Sequence, residues 1–182
     1  NSTFTGNTAN NGGGAIYNNI DNGSLYLANA ILVGNTASTS ENADLSGTAN
    51  KQVGTLIGNG STTITAETVF GPGTPTQDPS DGTFHISDGS AAQGIGVFVW
   101  HNADWSKIAT SETADGTKTY LVGTEEADDN LTMLAADQIG QEIKTDYAPS
   151  SGSYYLRKEF ASTVVTTTAD LIDATDGEIS LR

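Results

Sequence analysis

The chain has 182 residues, 36% hydrophobic and 16% charged, with 7 Lys+Arg against 22 Asp+Glu, a formal net charge of −15 and no cysteine. That length is enough to bury a core, either as one domain or as a small domain with an appendage. The charge is repelled by phosphate backbones and anionic lipid, which argues against nucleic-acid and membrane-surface partners. The lack of cysteine excludes disulfides, thiolate metal sites and cysteine nucleophiles, and no run of about 18 apolar residues suits membrane insertion.

With 21 Gly, 4 Pro and 1 Met among many Thr, Ser and Asn, the composition disfavours long helices and favours strands joined by tight turns. The expected class is all-β. Charge divides the chain: residues 1–99 hold seven acidic groups and one basic group, Lys51, whereas residues 100–182 hold fifteen acidic and six basic groups. Three regions are expected: coils over 1–99, a β-rich cap or insertion over 100–160, and a connecting strand over 161–182.

In chain order, short β-prone runs fall at 15–17, 24–28, 30–33 and 62–65, the first three bounded by Gly or Asn. They sit around a repeat. Phe4-Thr5-Gly6-Asn7-Thr8-Ala9 aligns with Leu32-Val33-Gly34-Asn35-Thr36-Ala37, and Leu56-Ile57-Gly58-Asn59 is a weaker third copy. Strands this short bury a face only when each coil stacks on the next, so the spacing predicts a short right-handed parallel β-helix, a solenoid with roughly 20 to 30 residues per coil. Asn tolerates the left-handed backbone and its amide can bond the Asn one coil away. Asn7, Asn35 and Asn59 are therefore the candidate members of an internal amide ladder.

Residues 4–7 and Gly12-Gly13-Gly14-Ala15-Ile16-Tyr17-Asn18 resemble the paired FxxN and GGA(I/L/V) repeats of polymorphic outer-membrane proteins and other β-helical bacterial surface proteins. Residues 29–37, 43–45, 56–59, 69–71 and 88–92 resemble the end of the β-helix in secreted bacterial proteins of the choice-of-anchor class. Residues 163–182 resemble the opening of a CSLREA module, with Ile179 at or beside the position of its cysteine. The resemblance implies an extracellular or cell-surface location. The order, helix-ending sequence before helix-opening sequence, implies one period of a longer tandem protein.

Further along, the apolar run 94–100 is expected to be a buried strand that closes the open solenoid end. Strands are expected again at 118–122, 141–144 and 153–156, with a short helix at 131–138. Thr163, Val164, Val165, Thr166 and Thr167 form a candidate assembly strand that would pair with a neighbouring copy by strand addition.

The chemistry-bearing residues are sparse. A uronate lyase needs cations and a proton acceptor, and the coil region offers Lys51 and His85. A hydrolase needs two carboxylates at a controlled separation. Asp44, Asp78, Asp81 and Asp88 are available, but they read as solvated turn residues. His85 and His101 lack zinc-site spacing, and Ser90 lies outside any GxSxG elbow. The reading is therefore non-enzymatic. Calcium is the one cofactor whose ligand chemistry suits the acidic clusters, with Asp128, Asp129, Asp173 and Asp176 as candidate ligands, and solvated loops are the favoured alternative. Tyr17, Tyr26, Trp100, Trp105, Tyr120, Tyr154 and Tyr155 would stack on surface glycans if several shared a face, and Asn1, Asn22, Asn59 and Asn130 match the glycosylation pattern. The expected function is a structural or adhesive module, a stalk, surface-layer or filament unit joined head to tail to neighbouring copies. A carbohydrate-binding or polysaccharide-cleaving fragment is the alternative.

Overall fold

The structure, a computed structural model, describes residues 1–19, 23–80, 82–111 and 118–136. Its strands are β1 (Ser2–Phe4), β2 (Ile16–Tyr17), β3 (Tyr26–Ala28), β4 (Ala30–Leu32), β5 (Leu45–Ser46), β6 (Lys51–Val53), β7 (Leu56–Ile57), β8 (Phe98–His101), β9 (Ile108–Ser111), β10 (Thr119–Val122) and β11 (Thr132–Met133). Among the described residues the one α-helix is α1 (Ala66–Phe70), so the described part of the chain is all-β.

The first seven strands form small parallel sheets in the orders β1-β4-β7, β2-β5 and β3-β6. Ser2 pairs with Ala30, Ile16 with Leu45, Tyr26 with Lys51 and Ile31 with Leu56, offsets of 28, 29, 25 and 25 residues. For β1 and β4 the offset is that of the sequence repeat, and Phe4 meets its own later copy, Leu32, side by side; the other strands pair in parallel at similar spacing without sharing a sequence.

Strand β4 is covered on both faces. Ala30 and Leu32 pack with Leu27 and Leu45, with Phe4, Ile16, Leu25 and Ile57 half-buried around them. Ile31 and Val33 point the other way and pack with Leu56, Val69 of α1, Ile86 and Ala92. Ile31, Leu32 and Val33 have no exposed surface, and each such side chain contributes roughly 1.5–3 kcal/mol of burial. The segment after β7 thus lies against the outer side of the β1-β4-β7 sheet, and α1 begins where Gly34 leaves room for it. A Cβ on Gly34 would meet the Ala66 Cβ at 2.7 Å.

Four local expectations are corrected. Residues 62–65 are not a strand. The Ser61 hydroxyl accepts from the Thr63 and Ile64 N–H groups at 3.2 and 3.0 Å, and Thr65 and Thr68 close a capping box that starts α1. The run 94–100 forms strand only from Phe98, and β8 pairs with β9 and β11 in the antiparallel sheet β10-β9-β8-β11 rather than closing any parallel sheet. The described part of 131–138 holds β11 instead of a helix, because Thr132 and Met133 pair with His101 and Trp100. At the first two Gly-Asn corners the left-handed residue is the glycine, Gly6 at φ 71° and Gly34 at φ 72°; only at the third is it the asparagine, Asn59 at φ 41°. The strands expected at 141–144 and 153–156 lie outside the described residues.

In the antiparallel sheet Phe98, Trp100 and Ala109 form the buried cluster, flanked by Tyr120, Leu131, Met133 and Leu134. The alternation of buried and half-buried residues along β8 is the period-two pattern of a sheet with one covered face.

Candidate functional site

Three polar constructions stand out, and the first lies at the Gly-Asn corners. The Asn7 Nδ2 donates to the Asn35 Oδ1 at 2.9 Å, and the Asn7 backbone N–H donates to the same oxygen at 3.0 Å. Thr8 and Thr36 continue the match with a hydroxyl contact at 2.8 Å. Asn59 joins Asn35 only through Asp44. The Asp44 Oδ1 accepts from the Asn35 N–H at 3.0 Å and its Nδ2 at 2.7 Å, while Oδ2 accepts from the Asn59 N–H at 2.6 Å. The Asn59 Oδ1 in turn accepts from the Asp44 and Leu45 N–H groups, and its Nδ2 donates to the Leu45 carbonyl. The reason is register. Phe4 pairs with Leu32 and Leu32 with Ile57, so Asn59 occupies the left-handed slot of Gly6 and Gly34, one place short of the Asn7 and Asn35 position. That engagement also removes Asn59 as a free glycosylation acceptor.

Asp44 is not a solvated turn residue. It is 2% exposed and its carboxylate is held by N–H donors. A groove of about 270 Å³ runs beside it, lined by Gly34, Asn35, Ala43, Gly58, Ile64 and Ala66 among others. A second groove of about 400 Å³ lies among Phe70, Pro72, Pro75, Asp78, Phe84 and His85. There the His85 Nε2 stands 3.9 Å from the Asp78 Oδ2. Asp44 is buried in the corner apart from this second groove, and Asp81 lies outside the described residues.

The second construction had no motif to announce it. Asn29, fully buried at φ 51°, donates from Nδ2 to the Val97 carbonyl at 2.8 Å and accepts at Oδ1 from the Val97 N–H at 2.7 Å. Its amide thus imitates a strand partner, and it fastens the start of β8 to the turn between β3 and β4.

The third is an ionic cluster on the antiparallel sheet. Lys107, immediately before β9, donates to the Asp129 Oδ1 and stands 3.0 Å from the Glu126 Oε2. The Asp129 Oδ2 accepts from the Tyr120 hydroxyl at 2.5 Å and from the Glu126 N–H at 2.9 Å. The hydrogen bond from Lys107, then that from Tyr120, hold the Asp129 carboxyl down at about 2. The hydrogen bond to Asp129 pushes the Tyr120 phenol up to about 12, and bonding to Asp129 and Glu126 raises the Lys107 ammonium above its ordinary value.

Of the calcium candidates, Asp129 therefore points both oxygens at protein donors. Among the described residues no group of three or more His, Asp or Glu side chains is arranged to hold a metal ion. Asp173, Asp176 and the assembly strand Thr163, Val164, Val165, Thr166 and Thr167 lie outside the described residues. No helix of the described residues is long and apolar enough to cross a membrane.

Two of the candidate aromatic residues are committed within the antiparallel sheet. Trp100 is buried beneath Lys118, whose Nζ sits 4.8 Å from the ring centroid, and Tyr120 is committed to Asp129. Tyr17, Tyr26 and Trp105 are exposed, while Tyr154 and Tyr155 lie outside the described residues. Trp105 stacks on His101 with centroids 3.6 Å apart and planes 6° from parallel, on a backbone at φ 60°. Comparison of the chain with protein families, curated proteins and solved structures found no match in any of the three.

Proposed function

We propose that the first seven strands are coils of a short right-handed parallel β-helix, and that the chain is a non-catalytic structural or adhesive module of a large repetitive bacterial extracellular protein. The observation that carries this reading is the set of parallel pairings. Strands one period apart meet in the same order around the chain, at offsets of 25 to 29 residues, with matched side chains at the Asn7 and Asn35 corner. Parallel crossovers are right-handed in about 98% of cases, which supplies the handedness. The acidic excess keeps such a module soluble, and the likeness of its repeats to β-helical bacterial surface proteins supports the location.

Its partners in this reading are neighbouring copies, joined through residues 161–182. Electron micrographs of the concentrated chain should show end-to-end assemblies that disappear when 161–182 are deleted. Isolated particles only, or release of reducing ends from a polysaccharide panel, would overturn the reading.

Glycan binding is kept as a second reading on one observation. Trp105 is 49% exposed although large, and a left-handed backbone in a bulky residue costs roughly 1–3 kcal/mol. A ring held face-on to His101 offers its other face to a sugar. Retardation of the chain in polysaccharide gels, lost in Trp105→Ala, would support it; identical mobility with and without polysaccharide would dispose of it.

A further inference from the structure

We propose that Lys107 and Asp129 condense to an intramolecular isopeptide bond, with Glu126 carrying the proton and Tyr120 stabilising the oxyanion. The parts of an acyl-transfer site are already assembled around one carboxyl group. The nucleophile is the Lys107 Nζ, in contact with the Asp129 Oδ1. The proton acceptor is the Glu126 carboxylate, 3.0 Å from that nitrogen. The oxyanion donors are the Tyr120 hydroxyl at 2.5 Å and the Glu126 N–H at 2.9 Å, both aimed at the Asp129 Oδ2. A surface ion pair needs none of this convergence, and most such pairs sit in water. Here the Lys107 and Asp129 side chains are only 17% and 12% exposed.

The step balances without an oxidant or a cofactor. Glu126 takes a proton from Nζ, and the freed lone pair attacks the Asp129 Cγ. A C–N bond forms while Oδ2 takes the negative charge between its two donors. Collapse of the intermediate breaks the bond from Cγ to Oδ1; Oδ1 already carries the one ammonium proton that passed to it directly from Nζ in the neutral tautomer, and Glu126 returns the second, so that Oδ1 leaves as water. Of the three ammonium protons, one stays on the amide nitrogen and two leave with that water. The resting pair is ionic, so the reactive form is its minor neutral tautomer and condensation is slow beside folding. Fixed contact offsets that cost, since well-oriented intramolecular groups react as though at effective concentrations of about 10⁵–10⁸ M. The product ties the start of β9 to the connection between β10 and β11, closing a loop across 22 residues of sequence. This inference stands on the antiparallel sheet alone and does not depend on the module reading.

The test is the intact mass of the full chain, followed over time after refolding. The expected result is a loss of one water, together with tryptic resistance after Lys107 and a branched peptide joining Lys107 to Asp129. Lys107→Arg keeps the cation and should retain full mass. Glu126→Gln should slow the loss on the order of 10²–10⁴-fold, as removal of a general base does, and Tyr120→Phe about 10²–10³-fold, as removal of an oxyanion donor does. Trypsin on the unaltered chain reads out the bond even if a variant fails to fold. Full mass after prolonged incubation, with normal cleavage after Lys107, overturns the proposal. So does a water loss that persists in Lys107→Arg or is regained on mild alkaline hydrolysis, because that marks a succinimide at an Asp-Gly step.

Discussion

Replacing Asn29 tests how the antiparallel sheet is joined to the parallel strands. In Asn29→Ala the Val97 N–H and C=O lose their side-chain partners at 2.7 and 2.8 Å, in a place where Asn29 has no exposed surface and Val97 is 5% exposed. Each buried polar group left without a partner costs about 1–3 kcal/mol, so the pair costs about 2–6 kcal/mol, a large share of the roughly 5–15 kcal/mol that holds a domain together. Alanine must also adopt the left-handed backbone that Asn29 holds at φ 51°, whereas glycine does so freely. Asn29→Gly should therefore be less damaged than Asn29→Ala by about 1 kcal/mol. The assay is urea unfolding followed by the fluorescence of Trp100 and Trp105 and, in parallel, by far-UV circular dichroism. Both variants should unfold at lower urea, the alanine variant first. If either lies within about 0.5 kcal/mol of the parent chain, the range expected for an uninvolved surface site, or if alanine is more stable than glycine, the reasoning about this amide is wrong.

Asp44→Asn should destabilise by about 1–3 kcal/mol, because the carboxylate accepts from three N–H donors and an amide would turn its own donor toward one of them; an unchanged urea midpoint would refute the buried-acceptor role. In the uncondensed chain the ion cluster sets the pH response. Asp129 is depressed from 3.8 to about 2, so its contribution is present above about pH 4 and fades as pH falls toward 2. Tyr120 is raised from 10 to about 12, so its contribution holds below pH 10 and is lost as pH rises through 12. Thermal melts across pH should show both arms in the parent and neither in Asp129→Asn. Calcium and chelator should leave the melting temperature unchanged, since a cation at Asp129 would have to displace Lys107 and Tyr120; a calcium-dependent rise would reopen the metal reading.

The repeat was legible because Phe4-Thr5-Gly6-Asn7 and Leu32-Val33-Gly34-Asn35 share spacing as well as residue type, and Phe4 does pair with Leu32. The third copy misled because alignment on its Gly-Asn step places Leu56 on Leu32, whereas strand pairing places Ile57 there. A one-residue slip reverses which side chains face the core, and it moved Asn59 from the amide position to the left-handed one. Asp44 was misread for another reason. Turn statistics know its residue type, while its burial depends on Asn59, 15 residues away in sequence. Asn29 sits between two alanines without a motif, and its partner is 68 residues distant. Thr65 and Thr68 had a readable signal, a hydroxyl residue three places before another, but the β-branched run around Ile64 outweighed it. Lys107, Tyr120 and Asp129 meet only through the antiparallel register, which brings Tyr120 against Ala109.

Among the described residues, two side-chain links run from the parallel strands toward the antiparallel sheet: the Asn29 amide on Val97, and the Lys51 Nζ on the Tyr120 carbonyl at 2.8 Å. The second ends on the residue whose hydroxyl holds Asp129. Lys51 is exposed and makes a single bond, whereas Asn29 is buried and makes two. Condensation of Lys107 with Asp129 would stiffen the sheet on the far side of that join without replacing it. The two devices can therefore be separated by acid titration. Once Asp129 is an amide it no longer titrates, and the acid arm of the stability profile flattens between pH 4 and 2. The loss caused by Asn29→Ala should remain undiminished, because the amide would close a loop within the sheet and add no bond to Val97.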